Sequence, residues 1–326
     1  MAWVTWRQHR AALAGVVALF GAAALYLLVA GLQMHHAYAA VAACRPARSG
    51  ICQQVAGNFL NTYAPGVGPV LGLLQVIPAL IGAFAAAPVL ARELESGTFR
   101  YTWTQGFGRA RWAVAKLVPL AVTVTAAAGA FSVLVSWYIQ PIFGAGDRNG
   151  PLYPTIFDLR GVALAAWTLA AFTIGALAGV LIRRVIPAMF ATLAAVGGLA
   201  YVAGAFLRRH YAAPIITTNP NLKTPAWVIS QVWIRGGRPA SLSMINQTFH
   251  AIDVTAVTPG LWQPGPATPA SIDPVQYLIH HGYTQLTTYQ PDSRFWPFQW
   301  IESGWLLALS LLLIAATAWL VRRRAA

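Results

Sequence analysis

Charge is what this sequence has least of. Asp, Glu, Lys and Arg together make up 9% of its 326 residues, and only eight are acids. A water-soluble globule carries about 25% charged residues, so this chain cannot clothe a water-facing surface. Catalytic signatures are missing too. No Gly-x-x-x-x-Gly-Lys-Ser/Thr phosphate loop is present, which excludes the usual ATP hydrolysis by this chain. No Gly-x-Ser-x-Gly, His-Glu-x-x-His or paired-cysteine zinc pattern is present either. Histidine occurs as His35-His36 and His280-His281, with His9, His210 and His250 single. Adjacent residues on a helix point about 100° apart, so neither pair makes a metal site by itself, and no metal is expected.

Apolar residues fill the space that charge leaves. They make up 57% of the chain, with a mean hydropathy of +0.57. This is an integral membrane composition. The formal net charge of +14 does not argue for nucleic acid, which needs one concentrated basic face. Here the basic residues sit mostly at the ends of apolar runs. A helix needs about 20 predominantly apolar residues to cross the hydrocarbon, and six stretches qualify: 11–32, 67–90, 117–140, 161–182, 187–207 and 301–321. An even number puts both termini on one side. Arg7, Arg10, Arg183, Arg184, Arg322, Arg323, Arg324 and the basic residues of 91–116 lie in short segments on that side. The positive-inside rule makes that side cytoplasmic. The expected fold is an all-α membrane protein of six spans with cytoplasmic termini.

The flanking segments carry further signals. Trp3 and Trp6 share a helix face ahead of Arg7 and Arg10, so residues 1–10 suit a short interfacial helix. The apolar run that follows exceeds the 7–15 residues of a signal-peptide core, so residues 11–32 are taken as a span and not as a cleaved leader. Cys44 and Cys52 lie in the first outer loop, where thiols tend to oxidise; a disulfide and two free thiols are the two readings, the disulfide being favoured. Gly68-x-x-x-Gly72 and Gly175-x-x-x-Gly179 permit close helix approach, ordinary packing explaining them as well as dimerisation. Residues 208–300 are too long for a plain loop and too Pro-interrupted to span. Within them 226–234 is short and apolar, 241–252 suits a helix after Pro239, and Asp273-Pro274 opens a helix that Gly282 stops. Glu302 reads as a carboxylate reaching the membrane surface, with an ion pair to Arg294 or a gating role as the other readings. No ionisable residue falls near the middle of a span. Ion-driven transporters place such groups or broken helices at the midplane, so a transporter built this way takes its energy from elsewhere.

One stretch is more patterned than orientation requires. Residues 91–116 place Arg92, Glu93, Glu95, Arg100, Arg109, Arg111 and Lys116 between two apolar runs, with Ser96-Gly97 and Gly106-Phe107-Gly108 as breaks. Glu-Leu-Glu-Ser-Gly-Thr (93–98), Trp-Thr-Gln (103–105) and Arg-x-Arg-Trp-x-x-x-Lys (109–116) together resemble the first cytoplasmic loop of ABC-2 type transporter permeases, particularly actinobacterial multidrug and antibiotic exporters. The string 289–302, rich in Phe and Trp, is similar to the approach to the last span in the same permeases. The resemblance implies a single permease domain over 1–326: an elbow helix at 1–10, five spans over 11–207 with a coupling loop at 91–116, an extracytoplasmic segment at 208–300 and a last span at 301–321. It implies a non-catalytic subunit in a bacterial plasma membrane that exports a drug, lipid or peptide. Its partners would be two ABC ATPase chains, which hold the ATP and Mg, a second permease copy (identical or related) and membrane lipid. Arg92, Glu93, Glu95, Gly97, Thr98, Arg109 and Arg111 would lie at the ATPase groove. A membrane-embedded enzyme or a peptide receptor built on 208–300 is the alternative, with Asp253, Asp273, Asp292, His250, His280 and His281 as the available groups.

Overall fold

The structure, a computed structural model, describes residues 2–44, 49–96, 109–147, 150–219, 222, 225–250 and 274–324. The chain divides into two compact units, Met1–Tyr211 with Ser293–Ala326, and Ala212–Asp292.

The larger unit is helical, and six helices among the described residues are long and apolar enough to cross a membrane. Helix α1 (Ala2–Ala43) is continuous, so residues 2–10, expected as a separate interfacial helix, form its first turns. A disulfide joins Cys44 to Cys52, with the Cα atoms 5.6 Å apart. Ser49 caps α2 (Gly50–Leu74) by accepting from the Cys52 amide at 3.2 Å. Pro78 has no amide hydrogen to give the Leu74 carbonyl. The helix accordingly breaks at Gln75 and resumes as α3 (Ile77–Leu80), a π-helical turn (Ile81–Ala86) and α4 (Ala87–Ser96). The whole run, Gly50–Glu95, is much longer than the expected 67–90, because helix continues beyond the apolar stretch at both ends.

Helices α5 (Arg109–Gly144), α6 (Pro154–Phe157), α7 (Ala163–Ile182) and α8 (Val185–Val202) follow. A π-helical turn (Ala203–Leu207) and a 3-10 turn (Arg208–His210) extend α8. Helix α7 is the centre of the unit: most of its residues are buried, whereas α8 buries only Ala188, Thr192 and Val196. Its glycines explain how it gets there. A Cβ on Gly175 would lie 2.2 Å from the Gly82 carbonyl oxygen, and one on Gly179 would lie 2.5 Å from that of Ala87. The Gly175–Gly179 pair is therefore spent on contact within this chain. Around α7 an apolar core includes Leu27, Leu71, Ile81, Val124, Val135 and Ile139. Outward-facing positions are apolar as well, including Leu32, Val122, Phe190 and Leu312. Both sets of faces are apolar because the helices meet hydrocarbon where a soluble protein meets water.

The smaller unit corrects the all-α expectation. Strands β1 (Ile215–Thr217), β2 (Ala226–Arg235), β3 (Arg238–Pro239) and β4 (Tyr283–Pro291) form one antiparallel sheet in the order β1-β4-β2-β3. Gly236 and Gly237, at φ 57° and 77°, supply the tight turn between β2 and β3 that right-twisted strands favour. Helices α9 (Leu242–His250) and α10 (Pro274–His280) match the expected helical stretches, and Leu278 and Tyr283 form a small core with Trp233 and Ile245. Helix α11 (Phe295–Arg324) returns to the larger unit, starting six residues before the expected span.

Candidate functional site

Contacts between helix ends gather charge in two places. At one end α4 stops and α5 starts. There Glu93 forms an ion pair with Lys116, and both side chains are largely buried. Glu95 accepts from the Val185 amide at 3.1 Å. No side chain of its own caps α8, so a remote carboxylate satisfies one of its open donors. Arg183, at φ 57°, closes α7 in a left-handed conformation. Arg92 is exposed. Gly97 and Thr98 lie outside the described residues; Arg109 and Arg111 belong to the first turn of α5, their side chains outside the description. The two acids of the patterned stretch are thus each tied to another helix of the same chain.

At the opposite end lies a buried charged cluster. Arg208 is 1% exposed and Glu302 0%. Arg208 donates from Nε to Glu302 Oε2 at 3.1 Å and from Nη2 to Glu302 Oε1 at 2.7 Å, and Nη2 also bonds Asp158 Oδ1. Trp167 Nε1 donates to Glu302 Oε1 at 2.9 Å, and the Tyr211 hydroxyl donates to Glu302 Oε2 at 3.1 Å. Trp305 Nε1 in turn donates to the Tyr211 oxygen at 2.8 Å. Glu302 therefore holds four donor bonds, as a buried carboxylate requires. The Arg208 guanidinium lies 4.3 Å from the centre of the Phe157 ring, a cation–π contact. Glu302 is fully buried in the protein, and its ion-pair partner is Arg208, not Arg294. It lies two turns inside α11, because that helix begins before the apolar run.

Local structure holds the cluster in place. Gln299, one turn before Glu302, accepts from the Ala163 amide at 2.8 Å and donates to the Phe157 carbonyl at 3.0 Å, which pins α11 to the start of α7. Gly161 (φ 63°) permits this, since a Cβ there would lie 2.7 Å from Gln299 Oε1. Gln75, at the break after α2, donates to the Pro154 carbonyl at 3.0 Å and to Asp158 Oδ2 at 3.4 Å. Burial pushes the Asp158 carboxyl up to about 6; the Arg208 charge pulls it down and the Glu302 charge pushes it up again. Burial, then the Glu302 charge, also pushes the Tyr211 hydroxyl up. Beside Asp158 and Arg208 is a cavity of about 350 Å³, also lined by Gln75, Trp167 and Tyr201.

The chain matches the family model described as ABC-2 membrane transporter related over residues 16–208, more than half its length. It belongs to that family. The matched segment holds five of the six spans and ends on Arg208, so this ABC-2-related membrane protein completes its buried cluster with Glu302, from beyond the match. It is a multi-pass protein of a membrane transport family. It matches no curated protein and no solved structure significantly. Among the described residues no three His, Cys, Asp or Glu side chains come together as a metal site would need. Of the groups available to a site on 208–300, Asp253 and Asp273 lie outside the described residues, as does the side chain of His250. His281 Nδ1 is bonded to the Tyr277 carbonyl at 2.9 Å, within its own turn.

The cluster escaped the sequence because its members look peripheral one at a time. Its signal was joint: Asp158, Arg208 and Glu302 all lie at span ends on one side.

Proposed function

We propose that the chain is the permease subunit of an ATP-binding cassette exporter in the bacterial plasma membrane. It moves an apolar or amphipathic substrate (a drug, lipid or peptide) outward and draws its power from a separate ATPase. The membership over residues 16–208 carries this reading, and the spans without ionisable residues at their middles support it. Two permease chains would join two ATPase chains, which bind ATP and Mg. Arg92, Glu93, Glu95, Gly97, Thr98, Arg109 and Arg111 would form or border the surface that the ATPase grips. That face would be cytoplasmic, and the Asp158–Arg208–Glu302 end and the smaller unit extracytoplasmic. In this arrangement the ties from Glu93 to Lys116 and from Glu95 to Val185 would carry movement of the gripped loop into α5 and α8.

Affinity purification of the tagged chain in mild detergent tests the reading. An ATPase with a phosphate-loop motif should co-purify in equal number with the permease. A chain that purifies without any ATPase, while still transporting in its membranes, would overturn it.

A further inference from the structure

Among the described residues the buried cluster does not balance its charge. Two carboxylates face one guanidinium, and the shares are unequal. Glu302 is sealed, with four donors around it. Asp158 shares Nη2 of Arg208 and has a long bond from Gln75, and its side chain is 27% exposed, on the cavity wall. The surplus negative charge therefore rests on Asp158. Arg160, two residues on, donates to Ser136 Oγ at 3.3 Å and lies over the rings of Phe143 and Phe295.

A second, independent observation concerns Arg208. It is 1% exposed and lines the same cavity, yet its Nη1 has no partner among the described residues. That nitrogen is closed to solvent, so the guanidinium backs Asp158 without presenting a donor to the space, and the charged group open to a ligand is the Asp158 carboxylate. Apart from Gln75 and Thr155 the rest of the wall is apolar and aromatic, with Pro78, Leu164, Val196, Trp167 and Tyr201. At about 350 Å³ the space lies within the ~300–1,000 Å³ typical of small-molecule pockets. One surplus carboxylate gives too few oxygens for a hard metal ion, which takes six or more. A carboxylate in an apolar wall beside aromatic rings suits an organic cation.

We propose that this cavity binds an organic monocation, a lipophilic amine whose ammonium pairs with Asp158 and whose apolar body lies against Trp167 and Tyr201. The site stands whether or not the transport reading does, because binding needs neither an ATPase nor a gradient. Gln75 turns its amide to Asp158 Oδ2 and leaves that oxygen room for a second donor. Low pH should release the ligand by protonating Asp158, with Arg208, Glu302 and Gln75 as the groups that face it and Tyr211 bound to Glu302 behind them.

The full-length chain in lipid nanodiscs allows a direct test, with tritiated propranolol, a lipophilic β-hydroxy amine, as the probe and empty nanodiscs as the blank. Saturable binding is expected, at least tenfold weaker for the analogue with CH2 in place of the amine nitrogen. Asp158→Asn should weaken it at least tenfold, and its binding should no longer fall between pH 7 and 5. Should that variant fail to fold, Ala200→Trp, which fills the cavity from its exposed side, should abolish saturable binding in a monodisperse protein. Binding that is non-saturable, equal for the neutral analogue, or unchanged in Asp158→Asn or Ala200→Trp would overturn the proposal.

Discussion

Arg208 and Glu302, 94 residues apart in sequence, meet side-on through two hydrogen bonds of 3.1 and 2.7 Å in a space closed to solvent. The pair ties the end of the fifth span to the sixth. Removing one partner strands a buried charge, which costs about 3–5 kcal/mol, while replacing both by apolar residues is often neutral. Arg208→Met strands the sealed Glu302 and should lower the melting temperature in detergent sharply; Glu302→Met leaves Arg208 its bond to Asp158 and should cost less, and the double variant should recover much of the Arg208→Met loss. Equal losses in all three would show that the pair is not coupled.

Asp158 makes stability depend on pH in a direction that can be checked. Its carboxyl rises from 3.8 to about 6 in the folded chain, with burial as the first cause. The folded state therefore holds a proton that the unfolded state has lost between about pH 4 and 6. This contribution favours the fold as pH drops through 6 and opposes it above. Between pH 7 and 5 the parent should gain melting temperature relative to Asp158→Asn. Parallel pH profiles for the two would contradict the assignment.

Two glycine pairs of the same spacing should behave differently. A Cβ on Gly175 would strike the Gly82 carbonyl oxygen, whereas one on Gly72 meets nothing within 4 Å. Gly175→Ala should destabilise by about 1–3 kcal/mol through overpacking. Gly72→Ala, inside a helix and with open space for the methyl group, should stabilise by up to about 1 kcal/mol. Chemical denaturation of the purified variants measures both.

Glu93→Lys sets two ammonium groups together at the Lys116 pair. The variant should insert, melt lower and lose coupling to the ATPase. The exchange Glu93→Lys with Lys116→Glu rebuilds the pair in reverse. Melting temperature should return, but ATP-driven transport should not, because the carboxylate has left the position proposed to face the ATPase. Transport restored in full would reduce Glu93 to a structural partner. Gly97→Pro should uncouple in the same assay without lowering the melting temperature.

How far the sequence reached depends on the range of the interactions involved. Six spans were legible because hydrocarbon selects apolar length, a local property. Their ends were not: helix hydrogen bonding carries α2 back to Gly50 and α11 back to Phe295, outside the apolar runs. That is why Glu302 looked superficial. Its partners Asp158 and Arg208 come from other span ends, and nothing local marks them. In the smaller unit α10 was legible from Pro274 and Gly282, whose roles are local. The sheet was missed because β4 (Tyr-Thr-Gln-Leu-Thr-Thr-Tyr-Gln-Pro) buries polar Gln285, Thr287 and Gln290 and leaves Leu286 only partly buried, so its alternation is not one of apolar residues, and its pairing with β2 spans a long insertion. The sequence pointed to the stretch 91–116 through its charges, but the ties of Glu93 to Lys116 and Glu95 to Val185 required the fold.

In the proposed assembly this chain forms the path and a neighbour supplies the power. The most direct test of this division is ATP-dependent transport in proteoliposomes, with the chain reconstituted alone and then with the ATPase that co-purifies with it. Inside-out vesicles should accumulate substrate only when both chains and ATP are present. Uphill transport by the chain alone, driven by a proton or sodium gradient, would contradict it.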